Sequence, residues 1–189
     1  MFIVIPGRVI SLFTFPGIIV HEIAHKFFCD ILNIPVYQVC YFQNSDPVGY
    51  VIHEQPKNIR DAFLISFAPL IVNSILCVLT TFPVVCFLSL KSLGWLYYSY
   101  DLIPAIQIIA AWVGISIGMH SLPSKQDIKI FLTFIKQLPR ATFASVFLKL
   151  FAMLFQGIQM LRFFWIDLFY AIIISVIAPA VFMCFISNA

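Results

Sequence analysis

Glutamate is almost missing from this chain. Glu22 and Glu54 are the only two in 189 residues, and charged residues of every kind make up 10%. An ordinary soluble surface needs roughly 25–35% charged residues, so so little charge argues against one. Other absences narrow the field further. The sequence has no glycine-rich phosphate loop, no C-x-x-C pair, no internal repeat and no low-complexity tract. These gaps set aside P-loop nucleotide chemistry, thioredoxin-type redox chemistry, zinc ribbons and solenoids. The five cysteines, Cys29, Cys40, Cys77, Cys86 and Cys184, mostly sit in apolar surroundings and predict no disulfide framework. A net charge of +3, from 11 basic and 8 acidic residues, gives no reason to expect nucleic acid as a partner.

Apolar residues fill the space: 62% of the chain is hydrophobic and the mean hydropathy is +1.02. The expectation is a multi-pass, α-helical integral membrane protein of one domain, residues 1–189, embedded in a lipid bilayer. A spanning helix needs roughly 20 apolar residues. Four to five segments qualify, at 9–32, 62–88, 102–120, 141–161 and 165–186. They divide into a core over about 9–138 and C-terminal helices over about 141–188. The short apolar N-terminus superficially resembles a secretory signal. Arg8, however, lies inside the apolar region and no small-residue cleavage site follows, so the segment is expected to be retained. Pro6 and the pair Pro16-Gly17 are expected to kink the first helix or to split it.

Residues 34–60 are the least hydrophobic stretch. Val36 to Phe42 and Tyr50 to His53 are β-prone, and Asn44-Ser45-Asp46-Pro47-Val48-Gly49 between them is turn chemistry. A small β-hairpin between the first two core helices is predicted, serving either strand addition to an extended substrate or as a plain structural connector. Lys57 and Arg60 fall on the same side as Lys125, Lys129, Lys136 and Arg140, against Arg8, Lys91 and Arg162 on the other. The richer side is expected to be cytoplasmic, with the N-terminus outside. Trp95, Tyr97, Tyr98 and Tyr100 predict an interfacial aromatic belt.

The chemistry lies in His21-Glu22-Ile23-Ala24-His25. Positions i and i+4 share a helix face, so both imidazoles reach one metal while Glu22 is beside the water a metal would polarise. Four histidines and two glutamates would produce H-E-x-x-H by chance in roughly one shuffled sequence in a thousand. The motif also interrupts an apolar segment, where ionisable groups are costly and mark function by default. A catalytic zinc keeps three protein ligands and one open position. The third ligand is expected to be Asp127, which follows the third span on the side where the motif helix nears its end, with His120 as runner-up. Glu54 and Asp30 rank lower, and Asp127 has a competing use as the cap of a helix starting at Ile128.

With these residues in view, the chain resembles the site-2 proteases, intramembrane zinc metalloproteases. His21, Glu22 and His25 match the family's H-E-x-x-H on a transmembrane helix. Ala68-Pro69-Leu70-Ile71-Val72-Asn73 is similar to its Gly-Pro-x-x-x-Asn element, with alanine for the usual glycine. Asp127 stands in the place of its late aspartate ligand, followed here by Ile128 where the family usually has glycine. The similarity covers roughly 18–127. It implies one Zn2+ per chain on His21, His25 and Asp127, Glu22 as general base, and Asn73 hydrogen-bonding the substrate backbone or the developing oxyanion, with a polar group joining helices as the alternative for Asn73. It further implies a transmembrane or membrane-associated peptide substrate, and the charge bias puts the active site nearer the cytoplasmic side. The alternative is a non-catalytic membrane scaffold or metal-binding protein using the same fold, which would tolerate Glu22→Gln.

Overall fold

The computed structural model describes residues 7–92, 103–137, 143–161 and 165–187. The expected aromatic belt at Trp95, Tyr97, Tyr98 and Tyr100, and Arg140 and Arg162 of the charge bias, lie outside the described residues.

The first apolar segment breaks into α1 (Gly7–Phe13) and α2 (Phe15–Ile31), bent by 84°. Thr14 closes α1, because both its N–H and its hydroxyl bond the Ile10 carbonyl, at 2.9 and 2.8 Å. Pro16 lies in the first turn of α2, where its missing N–H costs nothing. The expected kink is therefore a full corner. At its far end α2 stops on Asn33 in the left-handed region, φ 54°, with Ile34 N–H on the Cys29 carbonyl at 2.9 Å. Asparagine tolerates that conformation, and the bond satisfies a carbonyl the helix would otherwise leave open.

The predicted hairpin is present: β1 (Val36–Cys40) pairs antiparallel with β2 (Tyr50–His53), Val39 opposite Val51 and Cys40 opposite Tyr50. Asn58 then caps α3 (Ile59–Ser92), accepting Asp61 N–H at 2.9 Å and returning a bond to the Asp61 carboxylate at 2.8 Å. The remaining helices are α4 (Ile103–Met119), α5 (Lys125–Gln137), α6 (Phe143–Leu161) and α7 (Ile166–Ser187).

The central helix α3 packs against α2, α4, α5 and α7. Small residues let backbones touch. A Cβ on Gly17 of α2 would lie 2.0 Å from the Ser116 carbonyl oxygen of α4, and one on Gly118 would lie 2.7 Å from Ala171 Cβ of α7. Beside this bundle, α5 and α6 close an apolar cluster on the first turns of α3, with Phe67, Phe131, Ile135 and Phe155 buried in it. Edge-to-face contacts of Phe67 with Phe131 and Phe155, at 5.4 and 5.1 Å, hold α5 and therefore its first turn in place.

Polarity runs inside out. His21, Glu22, His25, Asn73, Ser116, Ser121 and Asp127 are buried, while Ile23, Phe27, Ile75, Leu79, Ile106, Ile108, Phe169 and Ile173 are exposed. Such an exterior suits lipid, not water. Among the described residues, two helices, Ile59–Leu90 and Ile166–Ile186, are long and apolar enough to cross a membrane, and the bent pair of α1 and α2 makes a third candidate. Pro104–Met119 and Val146–Leu161 are apolar but shorter, so two to three crossings stand on length and composition where the sequence suggested four to five.

Candidate metal centre

His21 and His25 lie one turn apart on α2 and turn the same way, as i and i+4 spacing requires. Their Nε2 atoms are 3.2 Å apart. Each ring's Nδ1 faces a main-chain carbonyl, His21 on His120 O at 2.7 Å and His25 on Ile65 O at 3.0 Å. A carbonyl only accepts, so both Nδ1 atoms carry a proton, and in the neutral ring that leaves Nε2 as a lone pair free to bind a metal. Two such nitrogens facing each other at 3.2 Å need a proton or a metal ion between them.

Asp127 completes the group. Its Oδ1 is 3.4 Å from His25 Nε2 and its Oδ2 is 3.7 Å from His21 Nε2. Ligands about 2.0–2.2 Å from a tetrahedral ion lie roughly 3.3–3.6 Å from one another. The separations of 3.2, 3.4 and 3.7 Å are of that size, the last two reaching different oxygens of the carboxylate. The three buried side chains could hold a metal ion. Burial by itself would lift the Asp127 carboxyl, but the imidazoles of His25 and His21 outweigh it and hold the group well below the usual carboxylate range.

The aspartate also caps its helix. Ser124 N–H bonds Asp127 Oδ2 at 2.6 Å and Asp127 N–H bonds Ser124 Oγ at 3.2 Å, a reciprocal box at the start of α5. The helix thus begins at Lys125, not at Ile128, and the cap engages Oδ2, which also faces His21, while Oδ1 is directed to His25. The pattern Ser124-x-x-Asp127 was a sequence signal for this start.

Of the other candidates, His120 contributes its carbonyl to His21, while its ring Nε2 bonds Thr14 Oγ1 at 2.9 Å at the α1–α2 corner. Asn73 is wholly buried, with Nδ2 directed to the carbonyls of His120, Ile117 and Gly17, and it is not among the residues lining the cavity at the metal group. Glu54 lies in a separate cleft with Asn33 and Lys57, and Asp30 pairs with Lys26 on the exposed face of α2.

Glu22 is buried beside His21 on the wall of a cavity of about 440 Å³. His21, His25 and Asp127 line one side of it, and Gly49 and β2 line the other. The hairpin loop crosses the glutamate so closely that a Cβ on Gly49 would lie 2.8 Å from Glu22 Cγ and 3.1 Å from its Oε1. Sequence reasoning missed Gly49, since contact between a loop and a helix 27 positions away has no local pattern. The main-chain carbonyls of Ile65 and His120 were equally invisible, because every residue has one. No family model, curated protein or solved structure matches this chain, so its chemistry is argued from these residues alone.

Proposed function

We propose that the chain is a zinc-dependent intramembrane endopeptidase of the site-2 protease type, holding one Zn2+ and cleaving a transmembrane or membrane-associated peptide. The observation that supports it best is a convergence. Two imidazole nitrogens and a carboxylate converge closely enough to share one ion, with Glu22 beside them on the cavity wall. A zinc ion held there supplies a Lewis acid that polarises a scissile carbonyl and acidifies water.

The chain's own groups do the rest. Glu22 takes a proton on its carboxylate from the attacking water and returns it to the leaving amine. The Ile65 and His120 carbonyls keep His25 and His21 in the tautomer that leaves Nε2 free. Strand β2 lines the cavity, and an extended substrate segment pairs with it, exposing peptide bonds that a helix would hide. The shorter helices α4 and α6 cross with the longer ones to give four to five passes. Lys57, Arg60, Lys125, Lys129 and Lys136 mark the metal-bearing end as cytoplasmic and put the N-terminus outside.

The test is zinc content by elemental mass spectrometry and cleavage of a panel of transmembrane peptides, on full-length protein in detergent. Glu22→Gln keeps one zinc and loses cleavage; His25→Ala loses both. Wild type that takes up no zinc after metal is restored sinks the proposal. Zinc without cleavage of any peptide leaves the metal-binding scaffold.

A further inference from the structure

The cross-over of α2, α3 and α4 holds a polar group that touches neither the metal group nor the cavity. Asn73 Nδ2 lies 3.1 Å from His120 O, 3.4 Å from Ile117 O and 3.5 Å from Gly17 O, and the side chain is 0% exposed. Ile117 stands in the last turn of α4, its carbonyl already accepting His120 N–H at 3.1 Å, and His120 follows just past the end of the helix, where carbonyls lack a helical partner. Asn73 therefore caps α4 from a neighbouring helix.

The shortest of these contacts has a further consequence. His120 O also accepts the proton of His21 Nδ1, at 2.7 Å. A carbonyl oxygen has two lone pairs, and here Asn73 and His21 take one each. The amide donor on α3 and the imidazole on α2 are thereby joined through one peptide group of α4. The other end of Asn73 points to the same conclusion. Its Oδ1 is buried with no hydrogen-bond partner. A leucine of similar volume would fill the space without that cost, so the donor, not the bulk, is what the position uses.

Resting on the metal-centre reading above, we propose that Asn73 is a positioning residue for the metal. By anchoring the His120 carbonyl it fixes the tautomer and ring orientation of His21, and it does not contact substrate. Partners one step behind a metal ligand typically change metal affinity by roughly 10–100-fold when removed. The same range is expected here.

The experiment titrates Zn2+ against a competing chelator, and Co2+ by visible absorption, in full-length wild type, Asn73→Leu and Asn73→Ala. Ser175→Ala serves as control, because Ser175 is a buried polar contact to Cys77 between α3 and α7, away from the metal group. Helix content and melting temperature are recorded for each. The expected result is about a 10–100-fold weaker Zn2+ affinity and a weakened tetrahedral Co2+ band in the Asn73 variants. Ser175→Ala should keep wild-type affinity even where it melts lower. Wild-type affinity in either folded Asn73 variant, or an equal loss in Ser175→Ala, overturns the inference while the metal centre stands. A wild type that binds neither ion removes the metal centre itself.

Discussion

Asp127 has two tasks, and they can be separated by substitution. One oxygen completes the cap of α5 with Ser124, and the carboxylate faces both histidines. Ser124→Ala removes only the hydroxyl's side of the cap, a loss of about 0.5–2 kcal/mol. Asp127→Ala removes the carboxylate from both tasks. Without metal Ser124→Ala should therefore lose about 1 kcal/mol, and Asp127→Ala more, because it also takes the carboxylate away from His21 and His25. With free Zn2+ at about 100 times the dissociation constant, binding to the folded state stabilises wild type by about 2.7 kcal/mol. Ser124→Ala should gain nearly all of that, because the three ligand atoms remain. Asp127→Ala should gain little, because one vertex of the tetrahedron is gone. The assay is reversible unfolding of detergent-solubilised protein followed by circular dichroism, with Zn2+ or with chelator. If Asp127→Ala responds to Zn2+ as fully as wild type does, the carboxylate is a cap alone and the reasoning fails.

Three further outcomes follow from the packing. Gly49→Ala should keep its zinc but turn over substrate about 100-fold more slowly, because the new methyl displaces Glu22; unchanged turnover would show that the loop does not set the glutamate. His120→Ala should still bind one zinc per chain by elemental analysis, since its carbonyl and not its ring supports His21. Loss of zinc would instead restore the ring as a ligand. Gly17→Ala places a Cβ against the Ser116 carbonyl and should cost about 1–3 kcal/mol in the same unfolding assay, where a wild-type midpoint would contradict the close α2–α4 approach.

The pair His21 and His25, with Glu22 beside them, was legible because the helix period places i and i+4 on one face whatever the rest of the chain does. The corner before α2 was legible in Pro16, and the hairpin in two β-prone runs around a turn sequence, since both depend on local backbone preferences. Hydropathy marked the apolar stretches, and among the described residues two to three of them form candidate crossings by length and composition.

Sequence by itself determined the apolar class of the chain, the histidine pair on one helix face and the glutamate next to it, because composition and helical periodicity are local properties. Only the tertiary structure decided which third residue joins them. Asp127 and His120 were both in range along the chain, and the choice was made by α5 packing its phenylalanine face against α3, which carries its first turn to His25. Tertiary packing alone also put Gly49 across Glu22 and gave the His120 carbonyl to both His21 and Asn73. These contacts join residues far apart in the chain, several through main-chain atoms common to every residue. No pattern of side chains along the sequence encodes them.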